Sequence, residues 1–263
     1  MIGRKTILRI CVITGLFLFA ACTCHGAGED REAKVSPERL FGRGNDYYEK
    51  GEYDKAAEEY GKVLAEGYES GPLYFNLGNA YFKDGKLGEA ILNYKRAKRL
   101  MPRDADLNAN LRFARAKVKG GQLRAKGIWK WRPLRMYAGN LTVNELLWLS
   151  SGMYLFIVVL LFMSVVFAGK RRFLTSVAVL AAVMVLLNSA VAFRKINVER
   201  KMAVVVVPSV DAKFGPFETA TKFFNLDEGM IVLVVAKKDD WRKVERSDGK
   251  TGWVKANEVE KVR

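Results

Sequence analysis

The sequence predicts a multidomain protein in which an all-α helical repeat solenoid is followed by two transmembrane helices and a small all-β barrel. Three observations indicate this order. The segment LYFNLGNAYFKDGKLGEAILNY (73–94) repeats the pattern of RLFGRGNDYYEKGEYDKAAEEY (39–60) 34 residues later in the chain. Two charge-free apolar stretches follow at 146–168 and 173–193. From Ala203 onward, short β-branched runs alternate with turn residues.

The first segment, residues 1–26, is predicted to be a secretory signal peptide. Basic residues at 4–5 precede the apolar run ICVITGLFLFAA (10–21), and small residues follow that run. This order is typical of a secretory signal, and the run is short for a membrane span. The alternative is an N-terminal anchor helix that is not cleaved.

The stretch FAAC (19–22) resembles a bacterial lipobox, which implies an acylated Cys22 at the mature N-terminus. If Cys22 is not acylated, we expect cleavage between Cys22 and Ala27. In either case the domains that follow are delivered outside the cytoplasm. We therefore expect a protein of the bacterial inner membrane whose repeat and barrel domains lie on the periplasmic, extracytoplasmic side.

Charge and residue types exclude several classes of function. The formal net charge is +16, but the positive residues are concentrated beside the apolar segments, where Lys and Arg meet lipid headgroups. No nucleic-acid motif accompanies them, so we expect no nucleic-acid partner. The only histidine is His25, and all three cysteines precede it. A Cys/His pair, a Ser-His-Asp triad or a zinc site is therefore excluded beyond His25, and we expect neither an enzyme nor a cofactor nor a metal.

Residues 37–102 have the spacing that two pairs of antiparallel helices require. In the second copy, large side chains at i, i+3 and i+7 mark one helix face, and Gly85 separates that helix from the next. Gly78 is small where the two helices are expected to cross closely. Pro102 ends the second helix because proline cannot continue it. The segment 104–118 forms a further amphipathic stripe, which we interpret as a capping helix.

This repeated pattern resembles the tetratricopeptide repeat. The second copy meets all eight family positions, which are Tyr74, Leu77, Gly78, Tyr81, Ala90, Tyr94, Ala97 and Pro102. The first copy clearly meets five, which are Leu40, Gly44, Tyr47, Ala56 and Tyr60. We place this domain, with its capping helix, at 36–118. A solenoid this short buries little core, so stacking on a partner or on a second copy of the chain is expected.

The resemblance implies a groove in which asparagine commonly holds a peptide ligand. The predicted peptide-binding residues are Phe41, Asn45, Tyr48, Phe75, Asn79, Phe82, Lys83 and Arg112. A side-chain amide can donate to and accept from an extended backbone, and aromatic neighbours exclude water. Lys83 and Arg112 are included because Phe41 replaces the basic residue of carboxylate-gripping members. The alternative is that Asn45 and Asn79 are solvated polar residues between helices.

The apolar stretches predict a transmembrane helical hairpin at 143–195, preceded by a basic, aromatic linker at 119–142. Asn188 is expected to make a helix-to-helix hydrogen bond rather than to mark a transport site. Positive residues occupy the loop and both flanks, so the charge count conflicts with the signal segment, from which we take the orientation. The expected interfacial belt consists of Trp129, Trp131, Tyr137 and Trp148.

The tail at 201–263 resembles the bacterial SH3-like domain and is predicted to form a small barrel of five or six strands. The residues that carry the resemblance are Leu226, Gly229, Trp241, Val244, Gly249, Gly252, Trp253 and Val254. We interpret Trp241 and Trp253 as core and rim residues rather than as a ligand site. The alternative is binding of cell-wall glycan or stem peptide, as in some bacterial relatives.

The order of the whole chain resembles the BatE component of Bacteroides aerotolerance operons. That resemblance implies work beside von Willebrand factor A-type membrane proteins and a MoxR-type ATPase system in envelope stress tolerance. The sequence therefore predicts a membrane-anchored, non-enzymatic scaffold that binds a peptide segment of an envelope partner through its repeat groove. The alternative is a peptidoglycan receptor that acts through the SH3-like domain.

Overall fold

The computed structural model describes residues 36–119, 137 and 139–262. The predicted signal peptide, Cys22 and most of the linker, with Trp129 and Trp131, lie outside the described residues. The helices are α1 (Pro37–Glu49), α2 (Tyr53–Ala65), α3 (Gly71–Lys83), α4 (Leu87–Leu100), α5 (Ala105–Ala116), α6 (Val143–Val166) and α7 (Arg171–Lys201). The strands are β1 (Met202–Val205), β2 (Ser209–Lys213), β3 (Lys222–Asp227), β4 (Ile231–Lys238), β5 (Trp241–Glu245), β6 (Thr251–Lys255) and β7 (Val259–Lys261).

Local sequence signals explain where the repeat helices begin and turn. Ser36, Ser70 and Asp104 precede α1, α3 and α5, and each side chain accepts a hydrogen bond from a backbone N–H of the first turn. Gly51 and Gly85 adopt φ angles of 80° and 83° in the turns after α1 and α3, where a side chain would be strained. The helices therefore form two hairpins, α1–α2 and α3–α4, and α5 packs against α4.

The crossing of each hairpin depends on a glycine facing a buried tyrosine. A Cβ atom on Gly78 would lie 2.7 Å from the Tyr94 ring, and one on Gly44 would lie 2.5 Å from the Tyr60 ring. Both tyrosines are 1% exposed. The close crossing predicted at Gly78 is therefore confirmed, because any side chain there would push the helices apart.

The tail folds into one antiparallel sheet with the strand order β3-β2-β6-β5-β4-β1-β7. Its core is a cluster of buried valines, alanines and Phe224 and Leu226 on the inner face. The SH3-like architecture is confirmed, but the sheet has seven strands rather than five or six, and it does not close into a barrel. The short strand β7 pairs only with β1 among the described residues, so β3 and β7 are both left as edges.

Helices α6 and α7 form the predicted hairpin. Segments Val143–Val166 and Ala168–Lys201 are long and apolar enough to cross a membrane, which is consistent with membrane anchoring. The Asn188 amide nitrogen donates to the Leu146 carbonyl oxygen at 2.8 Å and to the Ser150 hydroxyl at 2.7 Å. Its amide oxygen accepts from the Tyr137 hydroxyl at 2.9 Å. The predicted helix-to-helix hydrogen bond is therefore present.

The repeat helices and the sheet share a hydrophobic core that the sequence analysis did not anticipate. Buried residues of α4 and α5 belong to the same cluster as Val204 and Val262 of the tail. A Cβ atom on Gly88 would lie 2.6 Å from the Val205 carbonyl oxygen, so α4 and β1 touch backbone to backbone. The Glu228 carboxylate accepts a hydrogen bond from the Gly88 N–H at 2.7 Å and thereby caps α4. We call this contact the α4–β1 junction.

Both domains also meet the same end of the hairpin. Glu145, at the start of α6, forms an ion pair with Arg103, which follows α4. Glu199, near the end of α7, lies 3.8 Å from Arg99, and α7 also contacts β4. The GKRR turn is at the other end of the two helices. The repeat domain and the sheet are therefore held on one side of the apolar hairpin.

Candidate peptide-binding groove

The two predicted groove asparagines make the same pattern of hydrogen bonds, once in each repeat. The Asn45 side-chain oxygen accepts from the Tyr60 hydroxyl at 2.7 Å and from the Asn76 amide nitrogen at 3.2 Å. The Asn79 side-chain oxygen accepts from the Tyr94 hydroxyl at 2.7 Å and from the amide nitrogen of Asn110 at 3.0 Å. We call this repeated arrangement the asparagine ladder. It joins the first helix of each repeat to its own second helix and to the helix that follows.

The ladder fixes which atoms of the asparagines are open to a ligand. Each side-chain oxygen already accepts two hydrogen bonds, which fill both of its lone pairs. Neither Asn45 nor Asn79 uses its amide nitrogen on another described residue, and both side chains are half-buried. A ligand would therefore meet N–H donors suited to its carbonyl oxygens. The sequence-based expectation that each amide would also accept from a ligand does not fit this geometry.

Burial keeps the hydroxyl groups of the two ladder tyrosines, Tyr60 and Tyr94, protonated. Desolvation raises the pKa of Tyr60 to about 12, and it raises the pKa of Tyr94 as well. Both hydroxyls therefore keep their protons throughout the physiological range. Each of them can thus donate to its asparagine oxygen across that range.

Two of the predicted aromatic residues, Phe41 and Phe75, pack onto the ladder, and Tyr48 packs against α2. Phe41 lies 5.6 Å from Tyr60, and Phe75 lies 6.1 Å from Tyr94, measured between ring centroids. Tyr48 contacts the Tyr53 ring of α2 edge-on at 5.3 Å. All three side chains are half-buried, so each offers apolar surface to a ligand, and Phe41 and Phe75 also support the ladder.

The C-terminal part of the predicted site contains an aromatic pair and two exposed cations. The Phe82 ring lies 5.7 Å from that of Phe113, which is 59% exposed. Lys83 and Arg112 are exposed, and neither forms an ion pair with another described residue. The structure thus leaves both charges available to a ligand, as their predicted role requires.

Sequence reasoning missed three residues of this surface. Asn76 and Asn110 supply the amide donors that complete the ladder, and Phe113 completes the aromatic pair with Phe82. The 34-residue spacing between Asn76 and Asn110 equals the repeat length and could have identified both. Phe113 gave no comparable signal because its partner lies on a different helix.

A described hollow lies outside the predicted groove. A hollow of about 500 Å³ lies on α2 and the end of α3, and none of the predicted groove residues lines it. Its lining residues are Asp54, Ala57, Glu58, Gly61, Lys62, Ala65, Tyr81 and Lys86.

The sheet carries a second candidate surface on its outer face. Val244 and Val254 point into the core, so the alternation of each strand directs Trp241 and Trp253 to the opposite face. Neither tryptophan belongs to the buried core, so their interpretation as core residues is wrong and their interpretation as rim residues fits. The ammonium group of Lys213 lies 5.5 Å from the Trp241 ring centroid. Lys243 and Lys255 pair across the strands with Trp253 and Trp241, respectively.

Comparison with known families agrees with the description of both the repeat domain and the sheet domain. A family model described as a tetratricopeptide repeat matches residues 41–105, and one described as a bacterial SH3 domain matches residues 215–261. The chain carries both modules. No curated protein matches the sequence. Both families are non-catalytic interaction modules and neither indicates an enzyme, so the chain is best described as an interaction scaffold or adaptor.

Proposed function

We propose that this protein is a membrane-anchored scaffold that binds an extended peptide segment of an envelope partner through its asparagine ladder. One observation carries the proposal. The side-chain oxygens of Asn45 and Asn79 both accept hydrogen bonds from within the domain, so their amide N–H groups, 34 residues apart on successive repeats, are the donors left for a ligand. Backbone carbonyl oxygens of an extended segment are complementary to that row. The exposed cations Lys83 and Arg112 add preference for an acidic segment.

The family resemblance supplies the partner class for this proposal. We propose a von Willebrand factor A-type membrane protein as the peptide donor, in a complex with a MoxR-type ATPase. The predicted export signal supports an inner-membrane location with both domains on the periplasmic side. An alkaline phosphatase fusion after residue 120 should be active. An inactive fusion would reverse the proposed orientation.

The groove is tested by the double substitution Asn45→Asp and Asn79→Asp. An aspartate keeps the oxygen that accepts from tyrosine but removes the N–H donors and adds negative charge. We expect the von Willebrand-type partner to bind at least about tenfold more weakly, since two hydrogen bonds are lost and the partner's carbonyl groups are repelled. Affinity is measured with purified proteins in detergent. The matched control is Asn257→Asp, an exposed position of the tail. Unchanged affinity with an intact melting transition would remove the groove from the mechanism.

A second candidate function rests on the outer face of the sheet. Half-buried tryptophans flanked by lysines are complementary to sugar rings that carry carboxylates, as in peptidoglycan with its stem peptide. Glu218 now bridges Lys213 and Lys255, so an acidic ligand would replace that carboxylate. Sedimentation of the detergent-solubilised protein with purified peptidoglycan tests this function. Trp241→Ala should reduce retention about fivefold, and Trp148→Ala on the hairpin should not.

A further inference from the structure

The loop between β2 and β3 (214–221) places an acidic side chain against the face that carries the two tryptophans. The Glu218 carboxylate lies 2.6 Å from the ammonium nitrogen of Lys255 and 3.4 Å from that of Lys213. The Lys213 ammonium group also donates to the Glu218 backbone carbonyl oxygen at 2.6 Å. We call Lys213 and Lys255 the lysine clamp. A carboxylate of the chain itself thus lies between two ammonium groups from different strands.

Strand pairing places the lysine clamp around Trp241. Lys255 is directly opposite Trp241 on the neighbouring strand, so their side chains share one face of the sheet. Lys213 is opposite Trp253, and its ammonium nitrogen reaches to 5.5 Å from the Trp241 ring centroid. The two ammonium groups that hold the carboxylate are therefore neighbours of the same aromatic residue. This combination is complementary to a carboxylate that is attached to a sugar or to another group with an apolar face.

The loop positions Glu218 through contacts that do not involve its carboxylate. The Phe214 N–H donates to the Thr221 carbonyl oxygen at 3.1 Å and closes the loop at its base. A Cβ atom on Gly215 would collide with the Phe217 ring, so that ring packs directly on the backbone of the loop. We therefore expect the loop to keep its shape when the Glu218 carboxylate is removed.

The Glu218 carboxylate is exposed and can be exchanged for another. Its side chain is 65% exposed, whereas that of Lys213 is 20% exposed. Hydrogen bonds from Lys255 and Lys213 lower the pKa of Glu218, so its carboxyl group is ionised at neutral pH. Exposed ion pairs contribute little to stability, because water and salt screen them. An incoming carboxylate can therefore take the place of Glu218 without unfolding the sheet.

We propose that Glu218 is an internal competitor of the ligand, which occupies the lysine clamp in the free protein and is displaced by a carboxylate of the peptidoglycan stem peptide. This inference rests on the second candidate function above, and it adds the group of the ligand that is recognised and a limit on its affinity. A carboxylate in the same chain acts at a high effective concentration, so the ligand binds only the fraction of molecules whose clamp is open. A neutral glycan has no carboxylate with which to displace Glu218.

Sedimentation of the full-length, detergent-solubilised protein with purified peptidoglycan tests the competition. Glu218→Gln should bind at least about threefold more tightly than wild type, since the amide lacks the charge that holds both lysines. The gain should disappear with peptidoglycan whose carboxyl groups have been converted to amides. Lys213→Gln combined with Lys255→Gln should bind more weakly than wild type. The matched control is Glu38→Gln, which removes one charge at an exposed position of α1 and should bind as wild type does.

Each other outcome contradicts the competition in a recognisable way. Equal gains in Glu218→Gln and Glu38→Gln would show general charge attraction. Unchanged or weaker binding of Glu218→Gln, with an intact melting transition, would show that the carboxylate only braces the loop. A gain that survives amidation would show that no ligand carboxylate enters the lysine clamp.

The second candidate function fails separately from the competition. If peptidoglycan does not retain wild type and Trp241→Ala changes nothing, the cell-wall function itself is wrong and the competition falls with it. If Trp241→Ala reduces retention but Glu218→Gln does not raise it, the tryptophan face binds peptidoglycan and only the competition is wrong.

Discussion

The two repeats have nearly the same inner packing but opposite outer surroundings. In both, a glycine faces a buried tyrosine and an asparagine oxygen accepts from that tyrosine. The outer face of α2 is open to solvent, where Lys62 forms ion pairs with the exposed Glu58 and with the buried carboxylate of Glu59. The outer face of α4 is covered by the tail, and Arg96, which occupies the position equivalent to Lys62, binds Glu260 instead.

This difference shows that the repeat pattern and the domain contact use different residues. The glycine, tyrosine and asparagine of the repeat pattern determine how one helix crosses the next, and these residue types are the same in both copies. The position equivalent to Gly88 in the first repeat is Asp54, which is exposed, whereas Gly88 is buried against β1. The sheet thus supplies part of the cover that a solenoid of this length lacks, within the same chain.

The largest expected effect comes from filling the α4–β1 junction. Gly88→Val would place a side chain within 2.6 Å of the Val205 carbonyl oxygen and 2.8 Å of the Val206 Cα. Neither atom can move without the sheet moving, so we expect a loss of about 3 kcal/mol of unfolding free energy or separation of the two domains. Thermal melting and limited proteolysis of the solubilised protein measure the two outcomes.

The matched substitution in the first repeat is Asp54→Val. It lies at the equivalent helix position with solvent outside it, so its cost should stay below about 1 kcal/mol. If both valines destabilise the protein equally, the contrast between the repeats would not be a difference in packing.

An intermediate effect is expected where the repeats are alike. Tyr94→Phe and Tyr60→Phe each remove one buried hydroxyl that donates to an asparagine at 2.7 Å. Each asparagine oxygen keeps its second donor, so the loss should be about 1 kcal/mol in either case. Denaturant unfolding measures both. Values that differ by more than about 1 kcal/mol would show that the asparagine ladder is not equivalent in the two repeats.

The sequence predicted those parts of the fold that depend on short-range pattern. The helix break at Gly85, the crossing at Gly78 and the hydrogen bond of Asn188 all follow from local spacing or from a lone polar residue in an apolar helix. The α4–β1 junction was not predictable in this way. Gly88 and Glu228 are 140 positions apart and belong to no common motif, so only the folded chain brings them together.

The candidate site shows the same limit. The asparagines were identified from their position in the repeat. Their oxygens, however, each accept a second hydrogen bond from a residue of a neighbouring helix, Asn76 or Asn110, which the repeat position alone did not indicate. Similarly, the open sheet follows from the short pairing of β7, which composition does not reveal. Strand alternation alone would have directed Trp253 outward, because it stands between the inward residues Gly252 and Val254.

A smaller, pH-dependent effect is expected from Glu89 in the second repeat. Burial raises the pKa of its carboxyl group, and Glu228 and Glu260 of the tail raise it further, whereas Lys86 lowers it. The folded chain therefore binds this proton at pH values where the unfolded chain has released it. Stability contributed by this group is present at low pH and is lost as the pH rises from the ordinary glutamate range through the raised pKa.

Glu89→Gln should remove that loss. We expect the variant to melt at a higher temperature than wild type at neutral pH and at nearly the same temperature at about pH 3, where the carboxyl is almost fully protonated in both states. Melting curves across this range measure the difference. A constant offset at every pH would mean that packing of the amide, and not the titration of Glu89, is responsible.

The smallest effect is expected from the ion pairs that distinguish the outer faces. Arg96 is largely covered and bonds both Glu260 and the Lys261 carbonyl oxygen, whereas Lys62 and Glu58 are both well exposed. A double-mutant cycle to alanine should give a coupling of about 0.5–1 kcal/mol for Arg96 with Glu260 and about 0.3 kcal/mol for Lys62 with Glu58. High salt should reduce the second coupling more than the first, because solvent and ions reach it from all sides. A larger coupling in the first repeat would mean that the tail covers α4 without making its polar contacts stronger.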